Sequence, residues 1–198
     1  MKWKLVATAL LTIAMLAACG DEQETVSEVI ANKEQQSEQQ QVKEQHATTV
    51  TQGQTDDIKS LVASYSSDKT TDEKASITSQ KLIVTDKDGN ETAYALPEDE
   101  FFVSIAPYIT ETHPCKDHSL TGCQGELVKQ DIDVRIVNEK GEVVVEGIYT
   151  TLENGFIDLW LPRNEAFIIE MNHDGKKVSG EITTFDEDGT CITTLQLM

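Results

Sequence analysis

The last third of the chain alternates short apolar segments with glycine turns, and this pattern limits the fold more than any other feature. A period of two recurs in six segments: residues 131–138, 142–149, 155–161, 166–172, 177–184 and 190–197. Turn sequences such as Asn154-Gly155 and Asp174-Gly175 lie between them. A period of two places successive side chains on opposite faces of a sheet, so this region is typical of a small antiparallel β-sandwich.

The preceding residues predict a helix and further strands. Two acidic residues precede apolar residues at helical spacing, which are Ile58, Leu61, Val62 and Tyr65. Period-two segments at 79–85 and 92–96 flank a hairpin turn sequence, and 101–109 is another apolar run. We therefore expect a mainly β (α+β) fold, with a short N-terminal helix and strands followed by the antiparallel sandwich.

The N-terminus resembles a bacterial lipoprotein signal peptide. Lys2 and Lys4 form a basic start, residues 5–16 are apolar but too few to span a membrane comfortably, and Leu16-Ala17-Ala18-Cys19 closes the run as a lipobox. Cleavage before Cys19 would leave this cysteine carrying acyl chains, and two or more chains anchor a protein stably. We therefore predict lipidation at Cys19 and attachment to the outer face of the bacterial cytoplasmic membrane, with an ordinary secretory signal as the alternative.

Composition divides the rest of the chain. Residues 19–55 are rich in Glu, Gln, Thr, Ser and Lys, which predicts a disordered tether in which His46 is solvated. After the signal peptide (1–18) and the tether, we expect two folded halves. The first is a helix-plus-strand half at 56–128, and the second is the sandwich half at 129–198. The formal charge is −19, and loss of two lysines with the signal peptide leaves 14 basic against 35 acidic residues, near −21. This acidity argues against a nucleic-acid partner.

Three cysteines remain for chemistry: Cys115, Cys123 and Cys191. His113 and His118 lie beside the first two, so the five residues are the candidate metal ligands. Three thiolates could bind Cu(I), a soft ion that accepts trigonal coordination. Alternatively, two cysteines could form a disulfide in an oxidising exported compartment and leave the third free. A structural zinc ion with three sulfurs and one imidazole is weaker, since Cys115 and Cys123 are farther apart than the cysteines of common zinc knuckles.

The sequence carries no Ser-His-Asp arrangement in a strand-turn-helix context, no phosphate-binding glycine loop and no His-Glu-x-x-His run. These absences argue against a hydrolase, and one function that the three thiols leave open is that of a copper-binding protein that is not an enzyme. The alternatives are a thiol-active protein that reduces Cu(II) and a disulfide-stapled surface module that binds a protein partner. The sequence is also compatible with a homodimer.

The run from Cys115 to Leu127, with a third cysteine sixty-eight residues after Cys123 in a C-terminal strand, resembles the CueP family of bacterial periplasmic copper-binding proteins. The Cys-x7-Cys spacing and the Thr-Gly-Cys-Gln-Gly-Glu segment, residues 121–126, carry the resemblance, which spans roughly residues 56–198. It implies that Cys115, Cys123 and Cys191 bind copper, that the protein contributes to copper tolerance, and that it passes copper to an accepting protein. The lipobox and tether depart from the simple cleavable signal of the family, so the resemblance does not establish that this chain delivers copper to a periplasmic superoxide dismutase, and nothing in the sequence identifies a recipient.

Overall fold

The structure is a computed structural model that describes residues 50–51, 55–67 and 70–198. The predicted signal peptide, Cys19, His46 and most of the predicted tether lie outside these residues. The described part contains one helix, α1 (Thr55–Ser67), and twelve strands. The strands are β1 (Val50–Thr51), β2 (Lys74–Ile77), β3 (Lys81–Thr85), β4 (Glu91–Ala95), β5 (Glu100–Ile105), β6 (His118–Ser119), β7 (Asp131–Asn138), β8 (Val143–Thr150), β9 (Ile157–Pro162), β10 (Ala166–His173), β11 (Lys176–Thr183) and β12 (Cys191–Ile192).

The strands form three sheets. Their orders are β1-β4-β3-β2-β6, β11-β10-β7-β8 and β12-β5-β9. The strand pairs in these sheets are antiparallel apart from β1 with β4 and β12 with β5, which are parallel. The prediction of a mainly β fold with one short helix is confirmed. No helix in the described ranges is long and apolar enough to cross a membrane.

The four-stranded and three-stranded sheets bury a common core. On β7 the alternate residues Ile132, Val134 and Ile136 have no exposed surface, and they pack in one cluster with Phe101 of β5 and Phe167 of β10. Each fully buried side chain of this size contributes about 1.5–3 kcal/mol. The second layer of this sandwich thus combines β5, from before residue 128, with β9 and β12 from the last third of the chain.

Strand β5 is buried on both faces. Phe101 faces the sandwich core, whereas Phe102 packs in a second cluster with Ile58 and Val62 of α1 and with Leu82 of β3. The helical spacing of Ile58 and Val62 gives α1 the apolar face that makes this contact. Because β5 is central, the residues at its C-terminal end are held firmly in place.

One end of the three-stranded sheet gathers residues that are distant in sequence. Cys191 pairs with Ser104 in the parallel pair of β12 and β5, and Ile157 pairs with Ile105 in the antiparallel pair of β9 and β5. Phe156, Ala106 and Cys191 therefore meet at the same end, where they form a small buried cluster with the half-buried Cys115 and Cys123.

Candidate metal centre

Four predicted ligand residues converge at this end of the sheet. The ligand atoms of His113, Cys115, Cys123 and Cys191 all lie within 4.8 Å of one another. The sulfurs of Cys115 and Cys123 are 3.7 Å apart. All three cysteines are free thiols, so the described part of the chain holds no disulfide between them. The arrangement places three soft donors and one imidazole around a single point.

Cys191 is held by its own backbone N–H and by the side-chain hydroxyl of the residue before it. Its N–H donates to the carbonyl of Lys116 at 3.0 Å. The preceding residue, Thr190, is fully buried, and its hydroxyl donates to the Ile77 carbonyl at 2.6 Å and accepts the His118 N–H at 2.9 Å. One hydroxyl therefore joins β2, β6 and the start of β12, and it holds Cys191 against the loop that carries Cys115.

Cys123 lies just beyond a turn that follows β6. Its N–H donates to the Ser119 carbonyl at 3.0 Å, and the N–H of Gly125 donates to the Asn154 carbonyl at 2.6 Å. A Cβ atom on Gly125 would lie 2.7 Å from the carbonyl oxygen of Gly155, a separation that real side chains do not adopt. Two glycines in direct backbone contact thus let the Cys123 segment pack against the loop before β9.

The loop that carries His113 and Cys115 is held by side chains. The hydroxyl of Thr112 donates to the Thr193 carbonyl at 2.7 Å. The carboxylate of Glu126 accepts the N–H groups of Ile109 at 2.6 Å, Thr110 at 2.9 Å and Glu111 at 3.3 Å. The loop is therefore anchored immediately before the two predicted ligand residues, His113 and Cys115.

The two histidines have different environments. His113 is half-buried, and the Nε2 atoms of both histidines are buried without a hydrogen-bond partner, so this feature does not distinguish them. His118 has no exposed surface and is not one of the four convergent residues. Its Nδ1 atom lies 3.5 Å from the Cys191 sulfur, and its ring lies 4.5 Å from that of Phe156. His118 thus contacts Cys191, whereas His113 belongs to the group of four residues that could hold a metal ion.

The three thiols change one another's pKa values. The pKa of Cys123 is lowered, first because Cys191 donates a hydrogen bond to its sulfur and then because the two histidines add hydrogen bonds. The pKa of Cys191 is raised, since its proton is engaged by Cys123 and its sulfur is buried. The pKa of Cys115 is raised mainly by burial. The metal-free centre therefore favours a thiolate at Cys123, which attracts a cation.

The donor set suits a soft metal ion. A metal–sulfur distance of about 2.3 Å places the sulfurs of trigonal or tetrahedral sites about 4 Å apart, close to the separation between Cys115 and Cys123. No carboxylate belongs to the convergent group found among the described residues. Cys191 is 5% exposed, while Cys115, Cys123 and His113 are half-buried. An ion could thus enter from the side of the loop and be held against the strand.

Sequence reasoning did not find four residues that shape this site. Phe156 packs against His118, Thr190 joins three strands, Gly155 contacts Gly125, and Glu126 anchors the loop. Glu126 is exposed, yet its oxygens accept backbone N–H groups. The Asn154-Gly155 turn signal was visible in the sequence, but its contact with Gly125 was not.

Comparisons with known proteins show which family this chain resembles. The family described as periplasmic copper-binding protein CueP matches residues 57–196. The crystal structure of S.CueP is similar to the chain with 30% sequence identity and a TM-score of 0.68, and the match covers 89% of this chain and 100% of that one. Comparison with curated sequences finds no significant match. The chain therefore belongs to the CueP family of periplasmic copper-binding proteins.

Proposed function

We propose that this protein binds one Cu(I) ion through the thiolates of Cys115, Cys123 and Cys191, and that it sequesters or delivers the ion outside the cytoplasm. The observation that carries the proposal is the convergence of these sulfurs with His113 within 4.8 Å. Sulfur is a soft donor and Cu(I) is a soft ion, so three thiolates favour Cu(I) over hard cations. His113 would be a fourth ligand, and His118 would hold Cys191 in place.

The proposal includes the cellular setting. The lipobox at residues 16–19 favours lipidation of Cys19, and the Gln- and Glu-rich residues that follow would let the folded part extend from the outer face of the membrane. A protein so placed would bind copper before it enters the cytoplasm and contribute to copper tolerance. An accepting protein would receive the ion from the half-buried side of the site, by exchange of thiolate ligands.

A titration with Cu(I) against a competing chelator tests the proposal. The reduced mature chain should bind one equivalent, and Cys191→Ser should weaken binding by orders of magnitude because it removes one of three sulfurs. Ser64→Ala, on the exposed side of α1, is the control and should bind as the wild type does. A parallel titration with Zn²⁺ tests the alternative metal. Tighter competition by Zn²⁺ than by Cu(I) would contradict the copper proposal.

A second function, reduction of Cu(II), is favoured by the 3.7 Å separation of the Cys115 and Cys123 sulfurs. Two thiols can give one electron each to two Cu(II) ions, forming two Cu(I) ions, one disulfide bond and two free protons. The reaction would stop after one cycle unless an external dithiol reduces the disulfide. Anaerobic addition of Cu(II) should then yield two Cu(I) ions per protein and a Cys115–Cys123 disulfide, detectable by mass spectrometry. Retention of all three free thiols would contradict this second function.

A further inference from the structure

The glutamate that ends the Thr-Gly-Cys-Gln-Gly-Glu segment has no place in the donor set, yet it makes an unusual set of contacts. One oxygen of Glu126, Oε2, accepts the backbone N–H groups of three successive residues, Ile109, Thr110 and Glu111. The other oxygen accepts a second, longer bond from the Thr110 N–H at 3.2 Å. Successive N–H groups that point at one anion form a concave anion site, which a carboxylate fills well.

These bonds join two segments that carry different ligands. Glu126 follows Cys123 by three residues, and Glu111 precedes His113 by two. The carboxylate thus ties the segment of Cys123 to the start of the loop that carries His113 and Cys115. The same loop is also tied to the chain after Cys191, because Thr112 donates to the Thr193 carbonyl and Gln196 donates to the Ile109 carbonyl at 3.0 Å.

We infer that Glu126 is a positioning residue that fixes His113 and Cys115 relative to Cys123, so that the metal-free site already has the spacing of the loaded one. Hydrogen bonds from three N–H groups to a charged acceptor keep the loop in one conformation before the metal binds. The binding energy of the metal is therefore not spent on ordering the loop. The lowered pKa of Glu126, caused by these backbone N–H groups, agrees with a firm contact. This inference rests on the proposed function of the site.

A variant that removes the charge of Glu126 distinguishes a role in positioning the loop from a role in the stability of the whole fold. Glu126→Gln keeps the size of the side chain, but its amide group cannot accept three N–H groups as a carboxylate does. Glu187→Gln removes the same charge from another exposed position, in the turn before Cys191, and serves as the control. Since Glu126 is exposed, we expect both variants to keep the fold.

Two measurements on the mature chain test the inference. In the reduced, metal-free protein, Glu126→Gln should speed hydrogen exchange at Thr110 and Glu111 by about 10-fold to 100-fold, as loss of hydrogen bonds to a charged group implies. It should also raise the rate at which iodoacetamide alkylates Cys115 relative to Cys123. In Cu(I) competition, the same variant should bind about 10-fold to 100-fold more weakly, the usual effect of removing a group that orients metal ligands. The Glu187→Gln protein should match the wild type in every measurement.

The outcomes separate this inference from the proposed function. Unchanged exchange at Thr110 and Glu111 would overturn it, and so would faster exchange with Cu(I) affinity equal to that of the wild type. If Cu(I) affinity falls in Glu126→Gln but falls equally when His113 and Cys115 have already been replaced by alanine and serine, the effect does not pass through the loop and the inference fails. If the wild type binds no Cu(I), the proposed function fails, and the alkylation ratio of the metal-free protein alone decides whether Glu126 positions Cys115.

Discussion

The contact between Gly125 and Gly155 makes a quantitative prediction about stability. In Gly155→Ala, the new Cβ would lie 2.7 Å from the carbonyl oxygen of Gly125, 2.8 Å from its carbonyl carbon and 2.9 Å from its Cα. These are backbone atoms, so one chain segment must move. Gly175 offers a matched control, since it has the same φ of +79° and no atom within 4 Å of an added Cβ.

The difference in the free energy of unfolding between the two variants measures the cost of the steric contact. A left-handed backbone costs about 1–2 kcal/mol for a residue with a Cβ, and both variants share this cost. Overpacking of a tight contact adds about 1–3 kcal/mol, and only Gly155→Ala should show it. We therefore expect Gly175→Ala to lower the free energy of unfolding by about 1–2 kcal/mol and Gly155→Ala to lower it by about 2–5 kcal/mol.

Urea denaturation of the reduced, metal-free protein measures both values, provided that the slope of the transition is the same for the variants. Because Gly125 follows Cys123 by two residues, Gly155→Ala should also weaken Cu(I) binding, whereas Gly175→Ala should leave it unchanged. Equal losses of stability in the two variants would refute the claim that these segments meet at van der Waals contact.

Three further predictions follow from single residues. Thr190→Val should lower the free energy of unfolding by at least about 1–3 kcal/mol, because the buried Ile77 carbonyl and His118 N–H both lose their partner, and a loss under about 0.5 kcal/mol in urea denaturation would contradict this. Backbone N–H groups lower the pKa of Glu126 on folding, so its contribution to stability is present above about pH 4.5 and is lost as the pH falls below that value. The melting temperatures of the wild type and of Glu126→Gln should therefore converge in acid, and parallel curves between about pH 3 and 6 would exclude the effect. Cys19→Ser should move the protein from the membrane fraction to the soluble fraction and abolish acyl labelling, and an unchanged distribution would contradict the lipid anchor.

Local pattern predicted much of the fold. The period-two segment at 131–138 coincides with β7, the helical spacing from Ile58 to Tyr65 lies within α1, and the hairpin sequence after residue 85 joins β3 to β4. In contrast, β2 has four residues and β6 has two, too few for a period to be visible. The apolar segment predicted at 190–197 forms only the two-residue strand β12, since the chain beyond it pairs through a single bridge between Tyr108 and Gln196.

The candidate site likewise has one part that the sequence predicts and another that it does not. Spacing identified Cys115 and Cys123 as a pair, because only seven residues separate them in the sequence. The approach of Cys191 depends on the parallel pairing of β12 with β5, which joins residues far apart in sequence and leaves no local signal. Likewise, the roles of Thr190 and Glu126 arise from hydrogen bonds to the backbone of distant segments, and side-chain type does not predict such bonds.

X-ray absorption at the copper K-edge tests the central claim most directly. The reduced mature chain, loaded with one equivalent of Cu(I), should show copper coordinated by three sulfurs, and Cys191→Ser should reduce this number to two. The edge should be that of Cu(I) in both samples. A first shell of nitrogen and oxygen, or a sulfur count that the substitution leaves unchanged, would contradict a site built from Cys115, Cys123 and Cys191.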